Sequence, residues 1–479
     1  SWKGKAVKAA MDEEIRSLIS NGTWELVERP HGVNVMKNRW VLMTKYHVDD
    51  TVAREKARLV VKVFTQVYGA DYDETYAPVG SYVTLRIVLS IVAVLDLHLM
   101  QLGMKNAFLQ SKLDCVLYMD QPAYYNDGTG RVCKLLKSLY GLEQSPLLWY
   151  SALDAVLTGA GWSKSQVDEA LYFGVGVDGV ACWVLVYVDD LLATSNNTAM
   201  LKELLEAAFE LREISPVEKY LGLEIVRDRP AWKLWLHQQS YIDKLRRRFI
   251  DEEQTGRRLK TPVSVDAYAE LTFDDEEFQS REEEEYRHKV GSLQIAATTT
   301  RPDIAFACSK LGSGLTVRSD QHWHEVDRCL TYLADTRDAA LEFGGGPETL
   351  KQVGYADVND AGDKQTRSST NGFVSPSAAQ LSRRRANIST GKEAHRLRFL
   401  LVKFQLLNAG TPTALNVDNQ SAISVADGLG LKGNLKHMER RYVWLQQMVK
   451  RKKIALEYIP ISEQPADFLT KALHFLAFN

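Results

Sequence analysis

Cysteine is scarce: five residues in 479 (Cys115, Cys133, Cys182, Cys308 and Cys329), odd in number, with no CxxC pair. That excludes a disulfide-stapled scaffold and a zinc ribbon. It leaves reduced, mostly buried thiols, and with them an intracellular setting, as the expectation. Long apolar runs are missing too. The longest, Ile87–Leu95, is far too short to span a bilayer, so no membrane partner is expected. No secretory leader is expected from the sequence, and the first residue, Ser1, reads as that of a processed product or an excised segment. Neither sign of charge dominates. The formal net charge of −2 rules out a uniformly basic nucleic-acid binder. Repeats and low-complexity tracts are absent.

What is present is ordinary globular material, 45% apolar and 25% charged, and long enough for two to four domains with sizeable cores. The charge is patchy. Basic clusters stand at Lys244–Arg248, Arg383–Arg385 and Lys450–Lys453, and an acidic block, Asp274–Glu285, separates the first from the others. Such runs are commonly solvated faces. A near-neutral chain can nonetheless line one cleft with Lys and Arg.

The most informative stretch is Cys182–Thr194, in which an apolar run meets two adjacent carboxylates, Asp189 and Asp190, and resumes at once. It reads as strand, Asp-Asp turn, strand. A bare turn of this kind is adequately explained by the tolerance of Asp for turn geometry. Around it, residues 5–20 read as a helix, and Asn38–Tyr46 and Glu55–Thr65 as strands joined at Asp49-Asp50. Thr84–Leu95 reads as a helix, His98–Leu109 as a strand running into a turn, Ala199–Leu211 as an amphipathic helix and Gln238–Phe249 as a basic helix. From about Leu350 the pattern changes. Strands at Val353–Asp357, Ser369–Ser375 and Ala379–Ser382 are followed by a helix over Glu393–Leu407. Then come a strand, Ala414–Asp418, helices over Asn419–Asp427 and Leu431–Arg451 (with His437 near its start), a strand, Ile454–Ile459, and a closing helix, Pro465–Leu473.

Several short motifs fall in a fixed order: Lys56-Ala57-Arg58-Leu59-Val60, Asp71–Val79, Tyr118–Pro122, Tyr140–Pro146, Tyr187-Val188-Asp189-Asp190, Lys219–Ile225, Gly291–Ile304, His322–Thr336, Gly354–Asp357, Val417–Ala422 and Pro465–Lys471. With these, the chain from about Asn21 to about Leu473 resembles the reverse transcriptase–ribonuclease H portion of a copia-type LTR retrotransposon polyprotein. The resemblance implies α+β and α/β architecture: a right-hand polymerase of fingers, palm and thumb with a connection, followed by a ribonuclease H-like domain. The implied borders are 1–235 for fingers and palm, 236–345 for thumb and connection, and 346–479 for the nuclease. It implies RNA-directed DNA synthesis from dNTPs on an RNA template with a DNA primer, cleavage of RNA in RNA–DNA hybrids, and Mg²⁺ as cofactor, with Mn²⁺ as an alternative. Cytoplasmic virus-like particles, or the nucleus, are the implied location.

Phosphoryl transfer of this kind uses metal ions about 3.5–4 Å apart, held by carboxylates converging from separate elements. The resemblance assigns Asp189 and Asp190 to the polymerase set. The third ligand is missing. Where the family has Gln-Met-Asp-Val-Lys, this chain has Gln101-Leu102-Gly103-Met104-Lys105, with Gly103 in the Asp position. The nearest upstream acid, Asp96, would leave the opposite face of a continuous strand, so polymerisation by this copy is expected to be impaired. The resemblance further implies Lys45 and Arg58 as triphosphate cations, Phe108 as a ring crowding the sugar 2′ carbon, and Gln144 on the template and nucleotide path. There Glu143 replaces the family's Lys, and Val63 stands where the family has Gly. The implied nuclease set is Asp357, Glu393, Asp418 and Asp467, with Glu393 displaced by one inserted residue and flanked by Lys392. Taken singly, each Asp is better explained as a helix cap than as a ligand, and it is the four acids in family order that point to a site. The alternative to a working enzyme is a decayed or repurposed nucleic-acid-binding remnant, or one that keeps only the nuclease.

Overall fold

The computed structural model describes residues 2–46, 51–69, 71–175, 181–214, 216–250, 258–264, 280–315, 320–345, 353–359, 370–375, 378–382, 386–403, 407–408, 410–426 and 439–471. Among these no helix is long and apolar enough to cross a membrane. The chain divides into two compact units, one of Ser1–Gly80 with His98–Pro216, the other of Ser81–Leu97 with Val217–Asn479. The expected border at 235 coincides with neither.

In the first unit a six-stranded sheet carries the Asp-Asp hairpin. Its order runs from Leu211–Ile214 through His98–Met104, Asp190–Ser195, Ala181–Tyr187 and Leu171–Val175 to Ser163–Lys164. The central strands are apolar on both faces, as a sheet covered on both sides requires. Residues Val184, Val186, Leu191 and Ala193 join Trp149, Leu153 and Leu157 of the helix Ser145–Gly159 in one core. A separate ribbon pairs Asn38–Tyr46 with Val52–Val61, and the helix Trp2–Ser20 packs against the second of these strands. The ribbon's second strand starts earlier and stops sooner than expected, giving way to a 3-10 turn at Val63–Thr65. The turn at Asp49-Asp50 lies outside the described residues. Gly141 closes the ribbon's base. Val61 N–H donates to the Tyr140 carbonyl at 2.8 Å. With φ +90° and a Cβ that would sit 2.2 Å from the Val61 carbonyl, position 141 accepts only glycine.

The amphipathic helix expected to reach Leu211 ends at Glu206. Leu211–Ile214 instead pairs with His98–Met104, and that ladder outweighs the helical spacing.

The second unit contains the helix Tyr82–Val94, capped by Ser81, a four-stranded sheet of Lys219–Tyr220, Leu223–Asp228, Lys233–His237 and, after the helices, Leu341–Gly344, and a helical core. That core draws on Ser280–Thr299, Ala305–Leu311 and Asp320–Asp335. The basic helix Gln239–Phe249 buries Ile242 and Leu245 and leaves Lys244, Arg247 and Arg248 exposed. A five-stranded sheet follows in the order Ala378–Ser382, Thr370–Ser375, Val353–Asn359, Thr413–Val417, Ile454–Tyr458. Its first two pairings are antiparallel and its last two parallel. The expected meander is present. The following helix runs Ala386–Lys403, starting seven residues ahead of Glu393, and among the described residues the next long helix is Glu439–Lys450. His437 and Arg383–Arg385 lie outside the described residues. The closing helix is a short 3-10 segment, Pro465–Leu469, because Pro465 starts it and the buried Gln464 ties its entry to the sheet.

Candidate metal centres

The hairpin in the first unit is a two-residue turn. Tyr187 faces Asp190, leaving Val188 and Asp189 at the tip. Val188 has φ +54°, a conformation a β-branched side chain rarely takes. Two hydrogen bonds hold it there. Trp149 Nε1 donates to the Val188 carbonyl at 2.6 Å, and Met104 N–H donates to the Asp189 carbonyl at 2.8 Å. Asp189 is exposed and Asp190 half-buried. Gln101 Nε2 lies 3.4 Å from Asp190 Oδ1.

The ladder places Gly103 directly across from Asp190. A Cβ at 103 would meet Asp190 Oδ1 at 3.8 Å, Ile214 Cδ1 at 3.8 Å and the Arg212 carbonyl at 3.9 Å. The position thus faces the hairpin carboxylate with ordinary contact distances and room for a side chain. Asp96 does not replace it, for a reason other than strand alternation. It precedes the strand at φ +49° and is ion-paired with Arg227 and Arg229, each at 2.8 Å, which hold its carboxyl below the usual range. A cleft of about 570 Å³ opens over this region, walled among others by Gly103, Asp189, Asp190, Arg212, Glu14 and Arg58.

The four expected substrate contacts fare differently. Arg58 lines the cleft, pairs with the buried Glu14 at 3.3 Å and lies 4.5 Å from the Tyr140 ring centroid. Lys45 pairs by backbone with Arg54, and its side chain lies outside the described residues. Phe108 is not among the cleft's described lining. Its ring meets Tyr140 edge-on at 5.0 Å and packs against the core beneath the sheet. Gln144 is 2% exposed. Its amide donates to the Asp71 carbonyl and accepts from Gln66, both at 3.0 Å, so the side chain is committed to loop packing rather than presented to a ligand.

In the second unit three carboxylates converge. Asp357 lies in Val353–Asn359, and Asp418 directly follows Thr413–Val417. The parallel register Ala356↔Val417 sets them side by side. Asp467 arrives from the 3-10 turn Pro465–Leu469. Gly372, paired with Asp357, lets that turn approach: a Cβ there would lie 2.8 Å from Leu469 Cβ and 2.9 Å from the Ala466 carbonyl. Gln464 pins the turn by donating to the Ala356 carbonyl at 3.0 Å. Oxygens of Asp357, Asp418 and Asp467 all lie within 4.8 Å of one another, which suits a hard divalent cation. The side chains of Glu393 and Lys392 lie outside the described residues.

The electrostatics match a compressed acidic site. Burial raises the pKa of both Asp418 and Asp467, and the neighbouring Asp357 charge adds to it. Lys471 Nζ sits 2.9 Å from Asp467 Oδ1 and 3.6 Å from Asp357 Oδ2, and Thr470 Oγ1 donates to Asp357 Oδ2. Sequence reasoning gave no role to Gly372, Gln464, Thr470 or Lys471. Only Lys471 left a local signal, its i,i+4 spacing from Asp467.

A family model described as reverse transcriptase (RNA-dependent DNA polymerase) matches residues 21–261. The Retrovirus-related Pol polyprotein from transposon TNT 1-94 of Nicotiana tabacum is 34% identical over 493 residues, covering 97% of this chain and 36% of its own length. That from transposon RE2 of Arabidopsis thaliana is 32% identical over 495 residues, covering 98% and 33%. The chain therefore spans about a third of the length of these relatives. Among solved structures, the foamy viral protease-reverse transcriptase dRH in complex with ds DNA is 13% identical. It covers 95% of this chain and 70% of its own, at a TM-score of 0.46.

Proposed function

Because this chain belongs to the copia-type reverse transcriptase (RNA-dependent DNA polymerase) family, we propose that it is the polymerase–ribonuclease H part of a retrotransposon polyprotein in which polymerisation is impaired and hybrid cleavage retained. Its partners on this reading are an RNA template, a DNA primer, dNTPs and RNA–DNA hybrid, with Mg²⁺ or Mn²⁺ as cofactor. The observation that carries it is the contrast between two carboxylate sets. Asp357, Asp418 and Asp467 converge within 4.8 Å, whereas Gly103 faces Asp190 without a ligand.

A bound divalent ion supplies Lewis-acid stabilisation of the attacking and leaving oxygens. The chain supplies the rest. Asp357, buried and fixed by the sheet, orients the cluster, while Asp418 and Asp467 approach from separate elements as further oxygen donors. In the first unit Asp189 and Asp190 alone would hold the ion. Selectivity for the RNA strand would rest on contacts to its 2′-OH. Primer extension on an RNA template, run beside hybrid cleavage, tests both halves. The parent should cleave hybrid RNA yet extend primer barely or not at all, and Asp418→Asn should abolish cleavage without loss of fold. Equal cleavage by Asp418→Asn removes that residue from the site. Gly103 also favours a second reading, a remnant that binds nucleic acid without catalysis. Absence of both activities with retained hybrid binding would establish that one.

A further inference from the structure

We propose that the Lys471 ammonium is a resident counter-cation of the Asp357–Asp418–Asp467 cluster, holding the site together without metal and competing with a divalent ion for the same oxygens. The proposal rests on the reading of this cluster as a divalent-ion site.

Three carboxylates whose oxygens lie within 4.8 Å of one another repel unless a cation stands among them. Lys471 Nζ bridges two of the three, at 2.9 Å from Asp467 Oδ1 and 3.6 Å from Asp357 Oδ2. Its side chain is 35% exposed while that of Asp357 is 2% exposed, so the ammonium reaches the cluster from the solvent side on a flexible stem. Asp357 Oδ2 also accepts from the Thr470 hydroxyl, so that oxygen has one hydrogen-bond donor besides the nearby ammonium charge. An incoming divalent ion needs oxygens of the same cluster, and taking Asp467 Oδ1 means displacing the ammonium. Lys471 thereby sets the metal affinity as a positioning residue, without touching substrate. A lysine with a purely structural role would change stability when replaced but would not tighten metal binding.

The test is Mn²⁺ titration of the full chain by calorimetry, counting only the binding that disappears in Asp418→Asn. Lys471→Met should tighten that binding at least about tenfold, equivalent to about 1.4 kcal/mol, while Lys471→Arg stays near the parent. The metal-free unfolding midpoint of Lys471→Met should fall, and Mn²⁺ should restore it. Should Lys471→Met fail to fold, Lys471→Gln, also uncharged but able to donate to Asp467, carries the same comparison. Asp418-dependent binding that is equal or weaker in the uncharged variants overturns the role of Lys471 and leaves the metal site standing. No Asp418-dependent binding in parent or variants overturns the metal-site reading itself, and the proposal with it. Binding seen only once the charge is removed supports both.

Discussion

Replacing Gly103 by Asp should raise primer extension at least about 100-fold, which corresponds to about 2.7 kcal/mol of transition-state stabilisation. The structure sets the terms. Position 103 pairs with Asp190, and a Cβ there keeps 3.8 Å from Asp190 Oδ1 and 3.9 Å from the Arg212 carbonyl, so the side chain enters without displacing backbone. A unit charge about 4 Å from another contributes about 4 kcal/mol at an effective dielectric of 20, so the required gain is less than one such interaction. The same charge has a cost. Without metal, a third carboxylate beside Asp190 is repelled, and the unfolding midpoint of Gly103→Asp should drop below that of the parent and recover with Mg²⁺. Single-turnover extension on an RNA template, comparing parent, Gly103→Asp and the uncharged Gly103→Asn, reads out the rate. Robust extension by the parent would refute the reasoning, because another acid would then supply the ligand. Equal rescue by Asn would show that charge is not the missing quantity. A metal-dependent midpoint without faster extension would mean the ligand is restored and that Glu143 or Val63 still blocks chemistry.

Phe108→Val, made in the Gly103→Asp background, should admit ribonucleotides if the ring crowds the sugar. Unchanged discrimination between dNTP and rNTP would leave Phe108 as the core partner of Tyr140 that the structure shows. The pH dependence of the nuclease cluster follows from burial. The folded pKa values of Asp418 and Asp467 are raised, so their contribution to stability is full below about pH 4, the unfolded value, and is lost as pH rises through the folded values. In metal-free buffer Asp418→Asn should therefore gain stability over the parent between pH 4 and pH 8. A gap that stays constant across that range in thermal unfolding would contradict the assignment.

The polymerase hairpin was legible because its signal is local: an apolar run, two Asp residues and another apolar run leave few arrangements for the backbone. The meander was legible for the same reason. Asp357, Asp418 and Asp467, by contrast, were picked out only by the order of the motifs that carry them, since each taken singly reads as a helix cap and Asp467 lies in a 3-10 turn outside any strand. What escaped depends on distant partners. Leu211 has helical spacing yet pairs with Met104, more than a hundred residues earlier. Gln144 occurs in a motif that suggests ligand contact, but burial commits its amide to Asp71 and Gln66. Gly372 gives no sign in the sequence of the turn that must pass over it. Asp96 was rejected as a ligand on strand alternation, whereas Arg227 and Arg229, far along the chain, are what occupy it.

The two carboxylate sets also differ in how tightly ligand and fold are tied, which bears on the proposal that one of them lacks a member. The hairpin is held by backbone pairing and by the Trp149 indole. Asp189 is exposed, and nothing in the packing depends on a side chain at 103. A polymerase ligand can therefore vanish with little effect on folding. Asp357 is the opposite case, buried to 1% exposure and receiving the Thr470 hydroxyl and the Lys471 ammonium. Its removal takes away the buried acceptor of the Thr470 hydroxyl, which keeps only the Asp467 carbonyl at 3.2 Å, and weakens the anchoring of Lys471, a loss of about 1–2 kcal/mol. Asp189→Ala should by contrast stay within about 0.5 kcal/mol of the parent, as exposed substitutions do. Urea unfolding of Asp357→Ala and Asp189→Ala in metal-free buffer compares the two directly. Equal, small losses would mean that the nuclease cluster is no better anchored than the hairpin, and that both sites could decay at the same low cost to the fold.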